Sequence, residues 1–453
     1  MALNRVIIDT DPGVDDTLAL LLALAAKPEE LEILLISITY GNVEVQSCLK
    51  NAVALFGTLK KELEWRKARG QLEGFDAMKS SNPILAFGAE HPLEEDKLMA
   101  DYFHGVDGLA GVHDKLPHLS PSDAWKTLFH RGDVSANSEP IPSDLGFQPS
   151  KTVAHKEILR LLKENPKDSI TIIAVGPLTN LALAAAEDPE TFLKVKEVCV
   201  MGGAIDVEGN VTPVAEFNTF ADAVATARVF ALTSLNPRFT MPPVHHDPAI
   251  ANALPKYPTK LSRTLNLTLF PLDVTTPHGL HKSDFQAKTQ PLIEAGSPLA
   301  TWVSHFVGET FKKIESHSAS KLIDPAVELH DPLCVWYALT RSAPSWMLAP
   351  RAPEDIRVET AAQWTRGMHV VDRRNRRKKG APDVQVRSPG AVDITNPMDD
   401  LIIGKNEVEV EDEIDPSDNG GWLRADRGNR INRIVGTPGE DSFGPYLLER
   451  IFG

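Results

Sequence analysis

The chain has 453 residues, of which 42% are hydrophobic and 24% are charged, and its formal net charge is −15. This charge disfavours binding to nucleic acids, anionic membranes and multiply phosphorylated substrates, so a small neutral ligand is expected. The three cysteines lack the paired spacing of a zinc site or a disulfide framework, which indicates a reducing, cytoplasmic setting. No stretch approaches the roughly 18 uninterrupted apolar residues of a membrane span.

Short apolar runs alternate with helical patterns through the first half of the chain. Strands are predicted at residues 6–8, 31–39, 169–175 and 195–201. Helices are predicted at residues 17–26, 45–61, 153–164 and 178–186. This alternation predicts an α/β fold with an extended, mainly parallel sheet wrapped by helices. In such sheets ligands bind at the carboxyl ends of the strands, so the turns that follow these strands are the candidate site.

Three polar segments interrupt the alternation, at residues 116–149, 236–260 and 373–435. None has enough apolar periodicity for a core of its own, so we expect surface insertions in a single domain spanning residues 1–453. The third segment opens with a basic run at residues 373–379. A solvated loop is the ordinary interpretation of such a run, and a nuclear import signal is the alternative.

Residues 9–16 read DTDPGVDD and place four aspartates directly after the first predicted strand. Four carboxylates this close together repel one another unless a cation or a ligand neutralises them. Oxygen ligands from aspartate favour a hard ion, calcium or magnesium. Spacing alone leaves an alternative, in which Asp15 and Asp16 are acids favoured by the dipole at a helix start and the others are solvated turn residues.

The aspartate turn resembles the DxDPGxDD signature of the inosine-uridine preferring nucleoside hydrolases. Further segments resemble motifs of that family in the same order, and together they extend over residues 6–372 apart from the polar segments. They are YGNV at 40–43, GA and PL at 88–93, HG and GL at 104–109, VGPLTN at 175–180, MGG at 201–203, EFN at 216–218, PLDVT at 271–275 and HDP at 330–332.

The resemblance implies an enzyme that hydrolyses the N-glycosidic bond of ribonucleosides to free base and ribose at a calcium ion. Matched motif by motif, Asp11 is the general base and a calcium ligand. The other calcium ligands are Asp16, Asp331 and the backbone carbonyl of Val175. The ribose contacts are Asp15, Asn42, Glu216 and Asn218, with Asn210, Met201 and Phe217 beside them.

A carboxylate-rich cup of this kind suits glycoside cleavage, whose transition state resembles an oxocarbenium cation. The same negative charge disfavours 5′-phosphates, so nucleosides rather than nucleotides are the expected partners. By the same resemblance the chain forms a homodimer or a homotetramer.

His330 and His104 are the expected proton donors to the departing base. Both resemble histidines of the pyrimidine-favouring or nonspecific branch, which implies a broad or uridine-leaning preference, with nicotinamide riboside as a further candidate substrate. Thr276 departs from the pattern, because many members carry His or Asn after the PLDVT motif. This departure leaves the base preference open.

Two alternative functions are compatible with parts of the sequence. A haloacid-dehalogenase-like phosphohydrolase also places two aspartates after its first strand, but Pro12 and Gly13 follow here instead of the usual Thr or Val, and the net charge disfavours phosphate. A non-enzymatic member of the nucleoside hydrolase fold would bind calcium and ribose without turnover.

Overall fold

The structure is a computed structural model that describes residues 4–129, 145–249, 254–317, 324–374, 376, 418–424 and 426–453. Its strands are β1 Arg5–Thr10, β2 Glu32–Ile38, β3 Ile84–Phe87, β4 Gln148–Ser150, β5 Ile170–Ala174, β6 Glu197–Met201, β7 Leu267–Phe270, β8 Gly279–His281, β9 Ala326–Glu328, β10 Met347–Leu348, β11 Ile356–Val358, β12 His369–Val371 and β13 Asn432–Gly436.

The α-helices follow in chain order. They are α1 Val14–Leu24, α2 Val45–Ala68, α3 Asp76–Ser81, α4 Asp101–His104, α5 Val112–Lys115, α6 Ala154–Glu164, α7 Thr179–Glu187, α8 Pro189–Phe192, α9 Phe217–Ala221, α10 Ala223–Ala231, α11 Leu272–Thr275, α12 Lys282–Glu294, α13 Pro298–His317, α14 His330–Thr340 and α15 Glu440–Phe452.

A central sheet organises the fold. Within the described residues its order is β10-β13-β7-β6-β5-β1-β2-β3-β4, and every neighbouring pair except β10–β13 is parallel. The predicted α/β class with a mainly parallel sheet is therefore confirmed. Because β1 lies between β2 and β5, Asp9 is level with Ser37 on one side and Ala174 on the other. The aspartate turn thus leaves the middle of the sheet at its carboxyl edge.

Two predicted helices have different ends in the structure. Helix α1 begins at Val14, three residues before the predicted start at residue 17, so Asp15 and Asp16 are within its first turn. Helix α2 continues to Ala68, beyond the predicted end at residue 61. It continues because Glu62 and Arg66 are both buried and joined by a 2.8 Å ion pair, whereas charged residues in a sequence suggest an exposed helix end.

The described ends of the three polar segments pack against the rest of the chain. Trp125, Phe129 and Phe147 are buried in the main hydrophobic core, and Tyr257 is 1% exposed. The last residues of the segment 373–435 form most of β13, which pairs with β7 in the central sheet. Residues 130–144, 250–253 and 377–417 lie outside the described residues, as does most of the basic run. That these segments are insertions in one domain stays a prediction.

In the part of the chain that the structure describes, no helix combines the length and the apolar character needed to cross a membrane.

Candidate active site

Asp16 is the most firmly held carboxylate of the aspartate turn. It accepts hydrogen bonds from the Thr10 hydroxyl at 2.6 Å, the Gly13 amide at 3.2 Å and the Asn42 side-chain amide at 2.7 Å. Because Thr10 ends β1 and Asn42 follows β2, these bonds tie the start of α1 to two neighbouring strand ends. The position of Asp16 is therefore fixed by the central sheet.

Asp11 is fully buried in a tight space. Its Oδ2 accepts a 2.7 Å hydrogen bond from the Asn42 backbone amide, whereas Oδ1 has no hydrogen-bond partner among the described residues. A Cβ atom on Gly41 would lie 2.1 Å from Oδ2, and one on Gly176 would lie 2.4 Å from Oδ1. Glycine at both positions leaves the carboxylate just enough room. Asp11 Oδ1 is therefore free to accept a hydrogen bond from water or to bind a cation.

Asp16 also belongs to a compact cluster of three carboxylates. Asp15, Asp16 and Asp331 each offer an oxygen, and these oxygens lie within 4.8 Å of one another. Burial and the charges of Asp15 and Asp16 raise the pKa of Asp331 well above its usual range. Burial and the charge of Asp16 also raise the pKa of Asp11 well above its usual range. The pKa of Asp15 is raised to about 6 by burial and by the charge of Asp16.

This donor set fits a hard divalent cation. The donors are carboxylate oxygens, they are crowded, and burial without a counter-charge penalises their ionised forms. Of the four ligands expected from the sequence, Asp16 and Asp331 lie in the cluster together with Asp15. The Val175 carbonyl accepts a 2.8 Å hydrogen bond from the Asn218 side-chain amide, and Asp11 is bonded to Asn42 as described above.

Asp9 is fully buried near the end of β1. Its Oδ2 accepts a 2.9 Å hydrogen bond from the Asn180 side-chain amide and a further hydrogen bond from the Ser37 hydroxyl. Burial raises the pKa of Asp9 to about 7, although these two hydrogen bonds oppose the rise. Asp9 therefore links β1, β2 and the start of α7.

A cavity of about 350 Å³ opens beside the carboxylates. Most residues that the sequence suggests for the site line it, although they come from seven different parts of the chain. These lining residues are Asp15, Asn42, His104, Val175, Met201, Asn210, Glu216, Phe217, Asn218, His330 and Asp331. Asp11 and Asp16 do not line the cavity, but both accept hydrogen bonds from Asn42, which does line it.

One wall of the cavity is polar and is built by the segment that leads into α9. Glu216 caps this helix: its Oε1 accepts from the Asn218 amide at 2.7 Å, and its Oε2 accepts from the Gly203 amide at 2.8 Å. Asn210 Oδ1 accepts from the Phe217 amide at 2.9 Å. Glu216, Asn210 and Asn218 are thus held by the backbone and by one another at the edge of the cavity.

The opposite wall carries His330, whose two ring nitrogens both have partners. Nδ1 lies 2.8 Å from the Thr275 hydroxyl and Nε2 lies 3.0 Å from Oε2 of Glu328. Burial works to lower the pKa of His330, but the hydrogen bond and the charge of Glu328 outweigh it, and the pKa is raised. A raised pKa favours the protonated ring.

His104 differs from His330 in its protonation. Burial, assisted by the charge of Lys313, lowers the pKa of His104 to about 3, so its ring is neutral near pH 7. Its Nδ1 lies 3.3 Å from the Val14 amide and accepts that hydrogen bond. In the neutral ring the remaining proton is therefore on Nε2, which can donate a hydrogen bond.

The sequence interpretation missed several residues of this wall. Phe103, Ile314 and Glu328 line the cavity, and Thr275 contacts His330 although it lies in a motif that had no assigned role. Glu328 had a usable signal, because it stands two residues before His330 and alternate residues of an extended segment share a side. Phe103 and Ile314 line the cavity because α4 packs against α13, and no local sequence pattern predicts a contact between helices so far apart in the chain.

Comparisons with known proteins identify the family of the chain. The model of the inosine-uridine preferring nucleoside hydrolase family matches residues 6–398. The chain belongs to this family, whose members are N-ribohydrolases that act on N-glycosyl bonds. The match argues against the haloacid-dehalogenase-like alternative.

Curated relatives and solved structures extend the comparison. Pyrimidine-specific ribonucleoside hydrolase RihA of Salmonella paratyphi C is 28% identical over 371 residues, which is 81% of this chain and 88% of that protein. A protein of Schizosaccharomyces pombe described as uncharacterized is 28% identical and covers 81% of this chain and 89% of its own length. The plant nucleoside hydrolase PpNRh1 shares the fold, with a TM-score of 0.58, 21% identity and 99% coverage of both chains. A purine-preferring ribonucleoside hydrolase from Gardnerella vaginalis gives a TM-score of 0.59 at 20% identity, with 99% and 98% coverage.

The close fit around Asp11 makes a prediction. In Gly176→Ala the new Cβ displaces the Asp11 carboxylate, and a displacement near 1 Å is expected to lower kcat about 100-fold. Ribose release from a nucleoside measures the effect. Gly57→Ala is the matched control, because no atom lies within 4 Å of the added Cβ. That variant should keep full activity and gain up to about 1 kcal/mol of stability from its position inside α2. Wild-type activity in Gly176→Ala would show that the position of Asp11 is unimportant.

Proposed function

We propose that this nucleoside hydrolase uses a calcium ion in the carboxylate cluster and prefers uridine among the common ribonucleosides. The observation that carries the proposal is the crowding of Asp11, Asp15, Asp16 and Asp331 beside a cavity of about 350 Å³, which Asp15 and Asp331 line. Burial and the neighbouring carboxylates raise the pKa values of Asp11 and Asp331 well above the usual range, so a positive charge beside them would stabilise their ionised forms. A cation and a sugar with vicinal hydroxyls together satisfy this arrangement.

The ion would be held by Asp11, Asp16, Asp331 and the Val175 carbonyl. The Asp15 carboxylate lies in the same cluster as Asp16 and Asp331. Calcium suits this set better than magnesium, because calcium accepts six to eight oxygen ligands in flexible geometry. When bound, calcium supplies the positive charge that offsets the carboxylates and acts as a Lewis acid toward water and sugar hydroxyls.

Asp11 is the general base in this proposal. Its unpaired Oδ1 is the atom that accepts a proton from the attacking water, while Oδ2 stays bonded to the Asn42 amide at 2.7 Å. The Gly41 and Gly176 contacts keep the carboxylate from rotating away. A base held in one orientation contributes more to the rate than a mobile one.

Asp15, Asn42, Asn210, Glu216 and Asn218 would bind the ribose. Their oxygen and amide groups border the cavity, and the thioether of Met201 and the ring of Phe217 supply its apolar surface. As the glycosidic bond lengthens, the sugar ring gains positive charge, which the nearby carboxylates stabilise. The same charge repels a 5′-phosphate, so nucleotides are poor substrates.

His330 and Glu328 would deliver a proton to the departing base. The 3.0 Å contact between Nε2 and Oε2 gives the pair one proton to share at the cavity wall, and the Thr275 hydroxyl orients the ring. His104, which is neutral, would orient the base through its Nε2–H.

The uridine preference is supported by relatives named as pyrimidine-specific ribonucleoside hydrolases, RihA among them. Cytidine, inosine and nicotinamide riboside are the substrates to compare with uridine. The proposed assembly is a homodimer or a homotetramer, and the proposed location is the cytoplasm.

An assay of ribose release tests the function and its ion. Wild-type protein should hydrolyse uridine fastest, lose activity with a calcium chelator and regain it when calcium is restored. Asp11→Asn should lower kcat by at least about 100-fold, the low end for loss of a general base. The exposed residue Asp284 provides the matched control, and Asp284→Asn should behave as wild type. Tight binding of uridine without turnover would instead support a non-enzymatic member of the fold.

A second comparison tests the leaving-group acid. 4-Nitrophenyl riboside releases a stable anion that needs no proton, whereas a nucleoside base needs one. His330→Ala should therefore lower kcat about 100-fold or more with uridine but less than about tenfold with 4-nitrophenyl riboside. His104→Ala should lower the two rates by similar factors. Equal losses on both substrates in His330→Ala would remove His330 from the role of acid.

A further inference from the structure

The segment that carries the ribose-side residues has no regular structure of its own. Between the end of β6 and the start of α9, residues 202–216 form neither helix nor strand. We call this stretch the ribose segment, because it includes Asn210 and Glu216. Holding an irregular segment in one conformation costs backbone entropy of about 1–2 kcal/mol per residue, so contacts from elsewhere must hold it.

Those contacts come from the last third of the chain. We propose that Arg366, His369, Arg373 and Arg433 form a brace that positions the ribose segment for sugar binding. This inference rests on the proposed role of Asn210 and Glu216 as ribose ligands. The brace touches the segment near its beginning and touches α9 just beyond its end.

Two arginines converge near the beginning of the segment. Arg373 pairs with Oδ1 of Asp206 at 2.6 Å and donates a 2.5 Å hydrogen bond to the Ile205 carbonyl. Arg433 pairs with Oδ2 of the same aspartate at 2.9 Å. Asp206 therefore has an arginine on each carboxylate oxygen.

A second aspartate fixes the backbone at the same place. The two oxygens of Asp273 accept hydrogen bonds from the Ile205 amide at 2.9 Å and from the Asp206 amide at 2.7 Å. Arg433 lies 3.7 Å from Asp273 and donates to Glu354 at 2.7 Å. The Arg433 side chain is 12% exposed and the Asp206 side chain is 48% exposed, so this pair lies at the protein surface. The pair of Arg433 with Glu354, which is 17% exposed, is screened less by solvent.

His369 packs against the start of the segment from a different side. Its Nε2 lies 3.2 Å from the Thr219 hydroxyl in α9. A Cβ atom on Gly203 would lie 2.0 Å from the His369 ring, and Gly203 has a φ of +83°, so only glycine fits there. Because Gly203 also donates to Glu216, the histidine supports the backbone that orients this carboxylate.

Arg366 completes the brace beyond the segment. It donates a 2.8 Å hydrogen bond to the Phe220 carbonyl, and its guanidinium lies 3.6 Å from the centre of the Phe220 ring. It also pairs with Glu95. The brace thus contacts Asp206, which precedes Asn210 in the chain, and α9, which follows it.

The side-chain bonds of the brace described above go to the ribose segment, to α9 and to Asp273, Glu354 and Glu95, none of which belongs to the carboxylate cluster. The brace residues are positioning residues, and their loss should loosen sugar binding without removing any reacting group. Asp206→Asn weakens both arginine pairs at once, and Arg373→Met removes one of them. Arg374→Ala is the matched control, because Arg374 is the next residue and pairs with Asp372 rather than with the ribose segment.

Two measurements on the full-length variants test the proposal. In Asp206→Asn the KM for uridine should rise about five- to tenfold while kcat stays within about threefold of the wild-type value. Amide hydrogen exchange without substrate should become faster in residues 203–216 and stay unchanged in β1 and α1. Arg373→Met should show both effects more weakly, Asp206→Glu should partly restore KM, and Arg374→Ala should match wild type.

Wild-type KM and exchange in Asp206→Asn would overturn the brace, as would the same changes in Arg374→Ala. If the wild-type protein hydrolyses no nucleoside, the proposed function fails, but the exchange measurement still decides whether the brace holds the segment.

Discussion

The main constraint on this structure is the burial of several carboxylates at the carboxyl end of β1, because bringing their negative charges together is electrostatically unfavourable. Asp11, Asp15, Asp16 and Asp331 are close together in surroundings that raise their pKa values. Such an arrangement has two requirements: hydrogen bonds that fix the acids, and protons or a cation that neutralise them. The sheet supplies the first condition, because β1 is central and the ends of its neighbours β2 and β5 provide Asn42 and Gly176. The second condition is the reason to expect an ion.

The three sides of the cavity are built with different rigidity. The carboxylate side rests on the middle of the sheet, where strand pairing continues in both directions. The ribose side is an irregular segment, and its conformation depends on contacts with Arg366, His369, Arg373 and Arg433. The base side is formed by the short elements α4 and β9 and by α13 and the start of α14. A family whose members share the glycosidic chemistry but differ in base preference is consistent with this division, because none of these elements is a strand of the central sheet.

Much of the carboxylate side was predictable from the sequence, since DTDPGVDD follows an apolar strand and places its four aspartates within eight consecutive residues. The roles of Asn42 and Glu216 followed from the family resemblance, but their hydrogen bonds did not. Asn42 gives its side-chain amide to Asp16 and to the Asp11 carbonyl, a choice made by the packing of two strand ends. The brace could not be predicted, because Asp206 and Arg433 are 227 residues apart and no periodic pattern links them. The last part of the polar segment 373–435 proved to be a strand of the central sheet, because pairing with β7 outweighs its polar composition.

Calcium binding to metal-stripped protein tests the central claim most directly. Titration calorimetry should find one calcium ion per chain, with much weaker binding of magnesium. Asp331→Asn should abolish the binding, and Asp284→Asn, an exposed control, should leave it unchanged. An absence of calcium binding to the folded wild-type chain, or full binding by Asp331→Asn, would contradict the account.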